Sequence, residues 1–299
     1  MDFLLDPFTV LFVRRALVAG LIVSVLCAMV GTWVVLRGMA FMSEAVSHGM
    51  LPGVAIAYST GVNLFLGAAL SAGLMVLGVA WVSRSSSLAE DSSIGLLFVG
   101  MLALGVVIVS RARSFAVDLT SFLFGDVLSA TWSDLWWLAG AAVLTLVVSV
   151  IAYRPFVGLI LDRRIAHTMG LWPRIAHVVL LGLVVLAVVA SFRIVGTLLV
   201  FGLLIAPSAT ALLLRRSIPA TIVLATGFGW SATVVGLLVS WHADTAAGAT
   251  IAGSAVLQFF ALLLVRKAVT AVRVRFVGVA DDVPDVHHRP GSVMVTDDK

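Results

Sequence analysis

The chain has 299 residues, 61% of them hydrophobic and 11% charged, with a net charge of +4 and a mean hydropathy of +1.15. A water-soluble domain carries about 25% charged residues, so a globular cytoplasmic protein is excluded, and so small a positive charge gives no argument for nucleic acid. No Walker-type glycine-rich loop with its Lys is present, so any nucleotide-driven step needs another chain.

Residues 1–12 contain Asp2 and Asp6 and lack a basic n-region, unlike a cleaved signal peptide. A membrane-crossing helix needs about 20 apolar residues. In chain order, the apolar runs predict spans over 15–36, 45–58, 64–82, 93–110, 135–152, 177–191, 195–214, 220–240 and 247–265. Cys27 is the only cysteine and lies in the first run, which leaves no intrachain disulfide and no thiolate metal cluster. The second span is short and carries Pro52-Gly53, so it reads as a broken helix, tolerated where neighbours or a cavity satisfy the freed backbone groups. Pro207 predicts a second interruption, followed by small residues suited to close helix packing.

The expected fold class is an all-α polytopic membrane protein with eight or nine transmembrane helices. They occupy a permease domain over 1–270, followed by a disordered cytoplasmic tail over 271–299. From Val277 the tail mixes Asp, Pro, Gly and His287-His288 without apolar periodicity. Arg154, Arg163, Arg164 and Arg174 cluster around the loop after the fifth span and place it in the cytoplasm, with Arg37, Arg84, Arg215, Arg216, Arg266 and Lys267 on the same side. Arg14, Arg15, Arg111 and Arg113 then fall outside. Nine spans put the N-terminus outside, and eight put it inside.

Within this apolar chain, Glu44 and His48 stand four residues apart, about one helical turn, so a carboxylate and an imidazole share a face. A charged side chain at the bilayer centre costs about 2.5 kcal/mol or more, and such groups persist where they face a cavity or a partner. Carboxylate plus imidazole is a ligand pair for a divalent transition metal. The alternative reading is a buried polar pair serving helix packing. Residues Leu161 to Leu171 form a short amphipathic stretch ending near Gly170, which either docks on a partner protein or lies on the headgroups with its arginines snorkelling. Glu90-Asp91 opens the fourth span, where acidic residues favourably oppose the helix macrodipole.

Four stretches carry a family resemblance. They are Phe41 to Gly53, with Glu44-Ala45-Val46-Ser47-His48; Glu90-Asp91-Ser92-Ser93-Ile94-Gly95; Asp118-Leu119-Thr120-Ser121-Phe122-Leu123-Phe124-Gly125-Asp126-Val127-Leu128; and Val195 to Thr210, continued by Asp244 to Ile251. Together they resemble the permease subunits of the metal-type ATP-binding-cassette importers, the ABC-3 family, which carry zinc, manganese or iron(II). The resemblance implies a homodimer of permeases, a pair of ATPase subunits, an extracytoplasmic metal-binding protein and a location in the inner membrane of a prokaryote. It implies no resident cofactor, only a transported ion; the Glu/His donor set makes zinc the expected one, because site affinity rises toward the end of the divalent series, with manganese or iron(II) as alternatives.

By the same resemblance, Glu44 and His48 are the metal ligands, with Glu44 where the family most often has Asp. Asp118, Asp126, His242 and Asp244 are candidates for the metal path, although Asp118 equally fits a helix N-cap. Arg163, Arg164, His167, Gly170 and Leu171 fall in the coupling helix that receives the ATPase stroke. A proton-driven secondary transporter would need acid and base residues along several spans, and few spans carry any. An intramembrane metalloprotease would need a His-Glu-x-x-His motif, which the chain lacks.

Overall fold

The computed structural model describes residues 10–87, 89–111, 125, 129–161, 172–214 and 216–278, and all regular structure among them is helical. Among these described residues ten helices follow in order: α1 Leu11–Leu36, α2 Ala40–Gly49, α3 Leu51–Thr60, α4 Leu64–Ser85, α5 Glu90–Arg111, α6 Trp132–Ile151, α7 Tyr153–Leu161, α8 Pro173–Leu212, α9 Ile218–Ala243 and α10 Ala247–Gly278. Eight stretches within them are long and apolar enough to cross a membrane. The short α2 and α3 follow one another with only Met50 between them. At about 1.5 Å per residue the pair is long enough for a ninth crossing, so the broken second span is borne out.

Local chemistry explains the breaks. Pro52 sits at the start of α3 and has no N–H to give to the carbonyl of His48, so the helix is interrupted just after the ligand pair. Pro207 does not produce the expected interruption: α8 runs through it, and the non-helical residue lies at Gly196, with φ 72° and ψ 161°. A single missing donor is tolerated inside a packed bundle, whereas a left-handed φ ends the helical path and favours glycine. Gly196 thus breaks the helical path just inside the second of two spans, Ile175–Phe192 and Ile194–Leu212. Gly125, itself at φ 66°, lies against the backbone of Val195 and Gly196 with no room for a Cβ. At the other end of the chain, α10 continues through Gly278, so the tail expected from 271 starts inside a helix. No proline lies between Arg266 and Gly278, and glycine is a common stop. Residues 279–299 lie outside the described ones.

Packing separates a core from a rim. α1 is mostly buried, with Val23, Leu26, Cys27, Val30 and Val34 fully enclosed, and it packs on α8, α9 and α6. On α4, by contrast, Leu70, Leu74, Leu77 and Trp81 form an exposed stripe, each at least 65% accessible. On α6, Trp136, Trp137, Val150 and Ile151 are as open. Apolar stripes of this extent are untenable in water, and they fit a lipid-facing rim. This is a multi-pass membrane protein.

Candidate metal-ligating site

Glu44 and His48 project from α2, and His48 Nε2 lies 2.9 Å from Glu44 Oε1. Both are half-buried, with His48 21% and Glu44 30% exposed. Their neighbours on the helix satisfy themselves: the Ser43 hydroxyl donates to the Ala40 carbonyl and the Ser47 hydroxyl to that of Ser43. No intrahelical demand therefore competes for the carboxylate and imidazole. Phe98 of α5 meets the His48 ring edge-to-face, with centroids 5.4 Å apart, and limits how the imidazole turns.

A different face of the broken pair is tied to α4. The Ser71 hydroxyl donates to the Gly49 carbonyl at 2.6 Å, and Gly53 lies against the backbone of Gly67. Small residues at such crossings let helices approach closely in a membrane. The ligand pair therefore rides on a short helix fixed on one side by α4, while its own side chains stay accessible.

Imidazole nitrogen and carboxylate oxygen both ligate manganese, iron and zinc. To bind an ion, His48 Nε2 offers its lone pair, and the ion replaces the proton now shared with Glu44. Among the described residues no group of three or more His, Cys, Asp or Glu gathers. Two ligands make an open, weakly held site, unlike the four-coordinate structural sites of zinc.

His242 and Asp244 sit at the turn between α9 and α10, both exposed, and are not brought to Glu44 and His48. His242 Nδ1 donates to the Leu238 carbonyl at 2.8 Å, and Asp244 adopts a left-handed φ of 49° as it caps α9. Asp118 and Asp126 lie outside the described residues, as do Arg163, Arg164, His167, Gly170 and Leu171. Asp91 is exposed in the first turn of α5. Sequence reasoning missed Phe98, which carries no signal beyond being aromatic. It also missed a capping box in which Thr131 and Asp134 exchange hydrogen bonds at the start of α6, although the Thr-x-x-Asp spacing approximates that motif.

The family model described as "ABC 3 transport family" matches residues 9–266. The chain belongs to the ABC 3 transport family. As a member it is a metal-type permease subunit and not an enzyme; ATP hydrolysis resides on a separate subunit. It is 38% identical over 240 residues to the manganese transport system membrane protein MntC of Halalkalibacterium halodurans, covering 80% of this chain and 82% of that one. It is 34% identical over 274 residues to a protein of Haemophilus influenzae named "probable iron transport system membrane protein", covering 92% and 99%. Among solved structures, PsaBC from Streptococcus pneumoniae in complex with Fab matches with a TM-score of 0.78 and 31% identity, over 87% of this chain and 94% of that one.

Proposed function

We propose that this permease carries manganese(II) into the cell across the cytoplasmic membrane of a prokaryote, with Glu44 and His48 as transient ligands. The observation that carries the reading is the 2.9 Å carboxylate–imidazole pair on a broken helix inside a chain of membrane spans. One hard oxygen and one borderline nitrogen suit manganese, and three similar proteins, from Halalkalibacterium halodurans and two Listeria species, are named for manganese transport. Manganese replaces the zinc expected from the donor set alone, for which the relatives' names give no support. The Haemophilus relative's name makes iron(II) the competing ion.

In this reading two copies of the chain face each other, and each contributes its pair, so that two carboxylates and two imidazoles with water complete the coordination. Two ATPase subunits dock on the cytoplasmic segment 162–171, through Arg163, Arg164, His167, Gly170 and Leu171. An extracytoplasmic binding protein delivers the ion, which Asp118, Asp126, His242 and Asp244 guide inward. The experiment is competition: proteoliposomes holding the permease with its ATPase and binding protein take up radioactive manganese against excess iron(II) or zinc. Manganese uptake that survives excess zinc supports the assignment. Preferential uptake of zinc overturns the choice of ion, and uptake without ATP overturns the importer.

A further inference from the structure

The end of α1 is clamped to both helices that flank residues 162–171. Arg37, directly after α1, donates from Nη1 to the Leu159 carbonyl on α7 at 2.7 Å. Its Nη2 lies 3.5 Å from His177 Nδ1 on α8; a guanidinium only donates, so the imidazole nitrogen accepts. α7 ends at Leu161 and α8 begins at Pro173, so one side chain holds the chain on both sides of residues 162–171. One turn earlier in α1, buried Trp33 packs edge-on against Tyr153 and Phe156 of α7, with centroids 5.7 and 5.2 Å apart.

The connection from Arg37 to the ligand pair is equally tight. The Gly38 N–H donates to the Val35 carbonyl and the Met39 N–H to that of Val34, each at 3.0 Å, with Gly38 at φ 67°. This is the Schellman arrangement that fixes a helix end. Met39 is buried, and its carbonyl accepts from the Met42 N–H in the first turn of α2. No slack segment separates Arg37 from Glu44 and His48.

We propose that Arg37 is a positioning residue that couples the helices around residues 162–171 to α2, so that displacement of the facing ends of α7 and α8 repositions Glu44 and His48. The inference rests on the reading of 162–171 as the ATPase docking segment. A guanidinium suits the task because its planar fork reaches two elements at once, whereas a Lys ammonium is a single point of charge.

The test compares wild type with Arg37→Lys, Arg37→Gln and His177→Ala, each reconstituted with the ATPase and binding protein. Manganese carried per ATP hydrolysed is measured alongside equilibrium binding of Mn2+ alone to the permease in detergent. The Arg37 variants keep hydrolysing ATP, carry about one fifth or less of the wild-type manganese per ATP, and bind Mn2+ as wild type does. His177→Ala removes one arm of the clamp and gives a smaller loss. Should Arg37→Gln not fold, Arg37→Lys and His177→Ala still decide the matter. Wild-type stoichiometry in both overturns the proposal, as does a loss of Mn2+ binding that matches the loss of uptake. A wild type without ATP-dependent uptake sinks the docking reading itself, and this inference with it.

Discussion

Gly53 of α3 and Gly67 of α4 meet backbone to backbone: a methyl group on either would overlap the carbonyl oxygen of the other. Ser71 of α4 reaches the carbonyl of Gly49 one turn before. The ligand-bearing pair of short helices is thus registered on a long span by contacts that tolerate no added volume.

Gly53→Ala should therefore force α3 from α4, a kind of overpacking that costs about 1–3 kcal/mol. Gly73→Ala is the control, because nothing lies within 4 Å of a Cβ there, and alanine favours a helix over glycine by about 1 kcal/mol. Thermal unfolding in detergent checks both. The Gly53 variant melts lower than wild type, and the Gly73 variant at or above it.

Glu44→Ala and His48→Ala should each abolish manganese uptake while leaving membrane insertion and assembly intact. The two side chains bond each other along α2 at 2.9 Å and are both partly exposed, so truncation leaves no deep cavity. Uptake assays paired with size-exclusion chromatography check this, and wild-type transport by both variants would remove the metal-site assignment.

Phe98→Leu frees the His48 ring, which the phenyl group now meets at 5.4 Å. Supporting contacts around ligands are worth about 10–100-fold in metal affinity or activity. The manganese concentration for half-maximal uptake should rise about tenfold, with the maximal rate less affected. An unchanged concentration dependence would show that the imidazole needs no such support.

The legible parts of this protein are those set by local chemistry. Apolar runs fixed the spans, because a bilayer demands about 20 such residues wherever a helix crosses. Pro52 announced the break that follows His48. The i, i+4 spacing of Glu44 and His48 placed both on one face, and the two side chains meet there at 2.9 Å. The failures have a common physical origin in tertiary context. Pro207 carries the same local signal as Pro52, yet α8 passes through it, while the actual break falls at Gly196, whose demand for a positive φ no neighbouring residue type reveals. The metal-path reading of His242 and Asp244 is a separate matter: both stand exposed at the end of α9, where His242 Nδ1 donates to its own helix and Asp244 caps it. Phe98 and Arg37 act across 50 and 122 residues of chain, on His48 and Leu159 respectively, a distance that no pattern within one segment encodes.

Asp134→Ala removes one half of the capping box at the start of α6, the Asp134 carboxylate that accepts from the Thr131 N–H and hydroxyl at 3.1 and 2.6 Å, and leaves the Thr131 hydroxyl accepting from the backbone N–H of residue 134. A complete N-cap is worth about 0.5–2 kcal/mol, and the Asp134 half contributes part of it. Amide hydrogen exchange should speed up in the first turn of α6 and stay unchanged in α2. Faster exchange in α2 would mean that the cap also supports the ligand helix.

The central claim is that Glu44 and His48 pass manganese through an ATP-driven permease, and uptake of radioactive manganese into proteoliposomes tests it most directly. The vesicles hold the permease, its ATPase and its binding protein, with wild type and His48→Ala compared in the presence and absence of ATP. The account predicts uptake only for wild type with ATP. Uptake by wild type without ATP, or by His48→Ala at the wild-type rate, would contradict it.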